Sequence, residues 1–294
     1  MLLRIGTRKS KLARSQCRQV CDLLTEMGIP VEEVSVSTSG DIFNDRAIHE
    51  IKGRGAFVRE LDGLLLAGEL DAAVHSMKDI PTELTKGLAI AAVLKRASPF
   101  DLLITRDGLS LDDLPKGAVV GTSSVRRRAQ LICHRPDLNV KNLRGNVETR
   151  LEKLSRNEYD AIVLAEAGIE RLGLKRKISA WRLPFVPAPN QGAIAVTTQE
   201  SGEPFRVIRR LDHPRSRIEA EAERKVMSVV GGGCASPMGI LAQGQDSGVK
   251  IEAEILSPDG KHRERFSEQV SLEFSDEDMN RIESLGMRLR RWSP

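Results

Sequence analysis

Apolar residues recur along this 294-residue chain in two patterns: short continuous or alternating runs, and positions three and four apart. The first pattern predicts strands and the second amphipathic helices, and their alternation predicts α/β domains with mostly parallel sheets. Residues 2–6 read as a strand. Leu12, Ala13, Gln16, Val20, Leu23, Leu24 and Met27 follow at helical spacing until Gly28 and Pro30 stop the helix. Val34 and Val36 alternate with Ser35 and Ser37 in the next strand, Phe57, Val58, Leu61, Leu64 and Leu65 mark a helix face, and residues 71–75 form a short buried strand. A second strand-helix series runs from Leu102 through residues 118–121 to residues 159–165. The stretch 183–192, with Pro184, Pro187 and Pro189, cannot be a helix interior and reads as a strap between domains. Residues 193–198 then read as a strand that returns to the first sheet. From Ile218 a charged helix leads to a run of glycines, followed by strand-like segments 249–256 and 266–272 and a final helix, a small α+β part.

Composition narrows the function classes. Lys and Arg number 45 against 41 Asp and Glu, so an anion site has to be a local cluster on a nearly balanced chain. Seven Phe, two Trp and one Tyr supply little for the stacking platforms of single-strand nucleic-acid binders. Cys17, Cys21, Cys133 and Cys234 show no C-x-x-C spacing, which favours reduced thiols in the cytoplasm. The five His residues, at 49, 75, 134, 213 and 262, stand singly, and no metal site is expected. Charges at Arg4, Arg8, Lys9 and Lys11 interrupt the N-terminal apolar residues, and no run reaches the length of a membrane span.

Several windows carry candidate chemistry. Cys234 lies in Gly231-Gly232-Gly233-Cys234-Ala235-Ser236-Pro237, where the glycines allow a turn that displays the thiol; a reactive thiol and a small turn filler are equally good readings of this window. Ala73-Val74-His75-Ser76-Met77-Lys78-Asp79 ends a short strand, and the carboxyl ends of strands line the ligand crevice of open α/β sheets. Asp79 is either a surface charge beside Lys78 or a carboxylate that stabilises a developing cation. Gly121-Thr122-Ser123-Ser124-Val125-Arg126-Arg127-Arg128 runs from a strand end into a helix start, where free N–H groups favour anions and arginines add bidentate carboxylate recognition. Leu143-Arg144-Gly145-Asn146-Val147-Glu148-Thr149-Arg150 repeats that design, with Asn146 as a cap. Arg8, Ser10 and Arg171 extend the set. The residues by themselves describe two α/β lobes facing each other across an anion-binding cleft, of the kind found in periplasmic binding proteins, plus a small domain offering a cysteine.

The windows Ile5-Gly6-Thr7-Arg8-Lys9-Ser10, 73–79, 121–127, 143–150 and Gly232-x-Cys234 through Gly239 occur in the order and spacing of the porphobilinogen deaminase, or hydroxymethylbilane synthase, family. The chain resembles that family over nearly its whole length. The resemblance implies an enzyme of tetrapyrrole biosynthesis that condenses four porphobilinogen molecules head to tail, releases ammonia at each step and hydrolyses off linear hydroxymethylbilane. It implies a dipyrromethane cofactor attached through a thioether to Cys234. It also implies Asp79 as the catalytic carboxylate that stabilises the azafulvene cation left by ammonia. Ser76, Lys78, Thr122, Ser123, Ser124, Arg126, Arg127, Arg144 and Arg150 become cofactor-binding residues, and Arg8, Ser10, Arg144, Arg150, Arg171 and Gln191 substrate-binding residues. Each pyrrole ring brings two carboxylates, so a growing chain accumulates negative charge that arginines offset at neutral pH.

The family pattern implies three domains: a discontinuous N-terminal α/β lobe over 1–95 and 191–212, a second α/β lobe over 96–190, and a C-terminal α+β domain over 213–294 that carries Cys234. It further implies a monomer, with no nucleic-acid or membrane partner. Four positions depart from it. Glu50 reverses a lysine charge, Arg54 replaces a second lysine, Ser39 stands where a basic residue is common, and Asn190 where glycine is common. Two other readings compete: a non-catalytic two-lobed anion-binding protein, in which Cys234 is dispensable, and a nucleic-acid binder built on Arg126 to Arg128, with steeply salt-dependent affinity.

Overall fold

A computed structural model describes residues 1–37, 58–231 and 236–290 of the chain. In chain order the described elements are β1 (Leu3–Arg8), α1 (Lys11–Glu26), β2 (Val31–Val36), α2 (Arg59–Leu66), β3 (Ala72–Ser76), β4 (Leu88–Val93), β5 (Asp101–Thr105), β6 (Val119–Gly121), α3 (Val125–His134), β7 (Asn139–Lys141), α4 (Val147–Ser155), β8 (Ala161–Ala165), α5 (Glu166–Arg171), β9 (Ser179–Arg182), β10 (Ile194–Gln199), α6 (Glu203–Arg209), α7 (Pro214–Val230), β11 (Met238–Gln245), β12 (Gly248–Leu256), β13 (Arg263–Val270) and α8 (Asp276–Arg290). Short 3₁₀ turns lie at Met77–Asp79 and Lys175–Lys177. Among the described residues no helix is long and apolar enough to cross a membrane.

The chain divides into two compact units, one of residues Met1–Ala97 and Gly192–Arg217, the other of Ser98–Gln191 and Ile218–Pro294. The first holds a five-stranded sheet in the order β2-β1-β3-β10-β4. β1 runs parallel to β2 and β3, while β10 runs antiparallel to both β3 and β4. The strand at 194–199 therefore does return to the first sheet. α1 buries Cys17, Val20 and Leu24 against Leu3, Ile5, Ala72 and Val74 of the strands. Each such large apolar side chain taken from water stabilises the fold by about 1.5–3 kcal/mol.

The second unit holds a sheet of matching design, β7-β6-β8-β5-β9, in which β5 is the antiparallel strand in the same fourth place. Leu183 and Phe185 of the proline-rich strap pack into its core with Leu103, Val120 and Leu131. The same unit contains a second core, built from the antiparallel sheet β11-β12-β13 and the helices α7 and α8. Gly239 on β11 is required by close approach: a Cβ there would lie 2.4 Å from the carbonyl oxygen of Val186. The strap carbonyl of Pro187 accepts from the Ile240 N–H at 3.0 Å, which fixes β11 beside the strap.

Candidate active site

In the first unit the site residues gather at the carboxyl ends of β1 and β3. Arg8 is the last residue of β1, and Ser10 caps α1 by accepting from the Ala13 N–H at 3.2 Å. Ser76 ends β3, and its hydroxyl bonds the Gln16 side chain of α1, which donates from Nε2 at 2.9 Å. The chain then makes the 3₁₀ turn that carries Lys78 and Asp79, with Met77 buried beneath it and the Asp79 carboxylate exposed. His75, one residue before Ser76, is 5% exposed and bonds Thr197 of β10 at 3.2 Å. Burial, and after it the charge of Arg8, lower its pKa to about 4, so the ring is neutral at ordinary pH.

In the second unit two helix N-termini lie side by side. Ser124 caps α3 and Asn146 caps α4, each accepting from the backbone N–H three residues on. Ser123 staples the two entry loops, donating to the Leu143 carbonyl at 2.8 Å and accepting from the Leu143 N–H at 3.1 Å. Thr122 is buried and accepts from the Ser124 N–H at 3.2 Å. Gly145 makes the turn before α4 at φ 108°, a conformation that glycine enters without a Cβ penalty. Arg144 and Arg150 flank that turn, and the Arg150 Nε donates to the Gly145 carbonyl at 2.8 Å.

The arginines differ in what surrounds them. Arg126 and Arg127 are 4% and 7% exposed and converge on one carboxylate, Asp101, at 2.8 and 2.6 Å. Arg126 also donates to Gln130 Oε1 at 2.8 Å and the Val186 carbonyl at 3.2 Å, and Arg127 to the Val163 carbonyl at 3.1 Å. Gln191, 1% exposed, donates to Asp101 at 2.9 Å and to the Pro99 carbonyl at 2.7 Å. Burial of Asp101 alone would raise its pKa, but the two guanidinium charges and their hydrogen bonds outweigh it and hold the carboxyl far below its ordinary range. Arg150 is different: burial first and the charge of Arg127 second both push it down, to about 10. Arg171, at the end of α5, is also lowered to about 10 by burial, with Glu170 opposing.

The structure thus groups Arg8, Ser10, Ser76, Lys78 and Asp79 in one unit and Thr122, Ser123, Ser124, Arg126, Arg127, Arg144, Arg150, Arg171 and Gln191 in the other. Arg126, Arg127 and Gln191 have protein partners of their own. Cys234, Ser39, Glu50 and Arg54 lie outside the described residues. Asn190 sits at φ 59°, the left-handed region where asparagine is the usual substitute for glycine, which accounts for its presence there. Sequence reading missed Asp101, Gln130 and His75 as parts of these constellations. The one available signal was a charged residue heading an otherwise apolar strand, Asp101-Leu102-Leu103-Ile104-Thr105. Among the described residues there is no group of three or more His, Cys, Asp and Glu placed to hold a metal ion.

Residues 3–206 match the family model described as "Porphobilinogen deaminase, dipyromethane cofactor binding domain", and residues 217–291 match "Porphobilinogen deaminase, C-terminal domain". The chain belongs to the porphobilinogen deaminase family. Among its relatives, a "Probable porphobilinogen deaminase" of Methanococcoides burtonii is 49% identical over 271 residues, covering 90% of this chain and 87% of that protein. The porphobilinogen deaminase of Pelotomaculum thermopropionicum is 45% identical over 263 residues, covering 87% and 84%. A lipoprotein of the YaeC family from Enterococcus faecalis is similar at a TM-score of 0.45 and 15% identity, over 71% of this chain and 90% of that one.

Porphobilinogen deaminases are transferases of tetrapyrrole biosynthesis, and the cofactor of the matched domain is a dipyrromethane. Such a group brings carboxylates on both rings, and the residues of the second unit fit it. Half-buried Arg150 flanks the Gly145 turn before α4 and feels the charge of Arg127, an arrangement that a ligand carboxylate relieves.

Proposed function

We propose that Asp79 is the catalytic carboxylate of this hydroxymethylbilane synthase, that Cys234 anchors the dipyrromethane through a thioether, and that the hydroxyl and arginine residues named above bind carboxylates. When bound, the dipyrromethane would supply the free pyrrole carbon to which the first porphobilinogen is joined, that carbon giving up its proton as the new C–C bond forms. At each addition the C–N bond of the incoming substrate breaks, and the electron pair leaves with nitrogen as ammonia. Positive charge then spreads over that ring. The exposed Asp79 carboxylate, on a turn anchored by buried Met77, stabilises that cation electrostatically. Neutral His75 behind the turn adds no competing positive charge.

Carboxylate binding is divided among residues of unlike kinds. Arg8, Ser10, Ser76 and Lys78 act from the first unit; Thr122, Ser123, Ser124, Arg126, Arg127, Arg144, Arg150, Arg171 and Gln191 act from the second. The observation that carries this reading is the pair of capped N-termini of α3 and α4, tied together through Ser123 and Leu143, with Arg144 and Arg150 flanking the Gly145 turn beside them. Its test is Arg150→Met. The KM for porphobilinogen rises about tenfold or more, as expected for losing one charge-assisted carboxylate pair; an unchanged KM overturns the assignment.

The separate apolar core of β11, β12, β13, α7 and α8 supports a third domain over about residues 213–294, of which 218–294 fall in the second compact unit and 213–217 in the first. The cysteine pattern supports a cytoplasmic enzyme, and the family resemblance a monomer. Light scattering on the purified protein checks the latter, and a dimer mass contradicts it.

A further inference from the structure

Asp101 has a place in the geometry that goes beyond charge balance. It heads β5, is 1% exposed, and receives four hydrogen bonds from three side chains. Its Oδ2 takes Arg126 Nη2 at 2.8 Å. Its Oδ1 takes Arg127 Nη2 at 2.6 Å, Arg127 Nε at 3.1 Å and Gln191 Nε2 at 2.9 Å. The Arg127 plane is therefore gripped along its Nε edge by a carboxylate, while its Nη1 is drawn to the Val163 carbonyl at 3.1 Å. Arg127 Nη2 also reaches Gln191 Oε1 at 3.5 Å, so a guanidinium held on these sides cannot rotate, and the one N–H left, on Nη1, points in one fixed direction.

The charges do not cancel. One carboxylate faces two guanidiniums, and Glu254, whose charge also reaches Arg126, is paired with Arg263 at 2.6 Å. The cluster keeps a positive surplus, and Arg150 is near enough to feel it. We propose that Asp101 is a positioning residue for the reaction: it fixes the orientation of Arg127 so that the surplus positive charge meets ligand carboxylates in a preset geometry. This rests on the reading of Arg127 and Arg150 as carboxylate-binding residues. It assigns Asp101 no contact with substrate; Asp101 acts through Arg127.

A purely structural Asp101 would only make two buried cations tolerable, and substitutions separate the two roles. Asp101→Glu keeps the charge and moves the carboxylate by one methylene. Positioning predicts that the holoenzyme variant has a porphobilinogen KM raised about tenfold or more, since small misplacements of binding groups are costly. Charge compensation alone predicts a KM at the wild-type value. The second comparison adds Asp101→Ala to Arg126→Met, which returns the cluster to the wild-type charge surplus and leaves no acceptor at position 101 to grip Arg127. Its KM should stand about tenfold above that of Arg126→Met alone, a coupling read from the mutant cycle. Equal values in the two overturn the proposal.

A readout independent of turnover accompanies the kinetics. Intact mass of each purified, denatured variant gives the fraction of chains carrying dipyrromethane, and positioning predicts that this fraction falls in Asp101→Glu. Full loading together with a wild-type KM overturns the proposal. Wild-type protein that consumes no porphobilinogen would instead mean that the functional reading itself is wrong.

Discussion

Asp79 and Asp101 are the same residue type at the ends of strands, one following β3 in the first unit and one opening β5 in the second, yet their surroundings give them opposite work. Asp79 is exposed on a 3₁₀ turn, with its carboxylate open to whatever binds there. Asp101 is buried and takes every one of its hydrogen bonds from within the protein. The first can answer charge that appears during a reaction, and the second has already been answered by two arginines. The difference teaches that a carboxylate near a binding region is chemical or architectural according to what satisfies it, not according to its distance along the chain from a motif.

The largest effect expected from breaking this comparison is on turnover. Asp79→Asn should lower kcat by about a hundredfold to a thousandfold, the scale of losing one preorganised electrostatic partner of a transition state. Being exposed, it should change stability by less than about 0.5 kcal/mol. Ammonia release and thermal melting measured on the same preparation check both halves, and near-normal release would remove Asp79 from the chemistry. Asp101→Asn should do the reverse in stability, costing about 3–5 kcal/mol because two buried cations lose their shared partner. Urea titration checks it; a midpoint equal to wild type would mean that the buried cluster is not balanced by Asp101.

An effect of pH sharpens the same contrast. His75 has an ordinary pKa of 6.5 and a folded value of about 4, so the unfolded chain binds its proton first. The stability due to the neutral ring is full above pH 6.5 and drains away as pH falls from there to about 4. Asp101, held below its ordinary 3.8, contributes fully above that value and is lost only at still lower pH. Denaturant midpoints from pH 7 to 4 should therefore fall in the wild type and stay flatter in His75→Gln. Parallel curves would contradict the assignment of this window to His75. The smallest effect is expected at Asn190→Gly, which should change stability by no more than about 1 kcal/mol because the left-handed backbone suits both residues. A larger loss in the melting curve would show that the Asn190 side chain does more than permit the turn.

Much of this was legible in the sequence, for local reasons. The helical spacing of Leu12 through Met27 gave α1, and the cap Asn146 could be read because a cap is decided within three residues. The returning strand β10 was legible as a strand, whereas its antiparallel direction between β3 and β4 was not, since partners more than a hundred residues away set it. Asp101 escaped for the same reason. Its partners lie 25, 26 and 90 residues on, and nothing in the run Asp101 to Thr105 announces them. The Arg126-Arg127 pair looked from sequence like two open receptors, and only the fold shows how much of each is held by the protein itself.

The central claim is that this chain works with a dipyrromethane carried on Cys234. Intact mass of the denatured wild-type protein beside Cys234→Ser tests it most directly, with both incubated with porphobilinogen beforehand so that apoenzyme can load. The account predicts an added mass equal to one dipyrromethane on the wild type and none on the variant. Two unmodified masses after that incubation would contradict it, and leave a two-lobed anion-binding protein as the reading that fits.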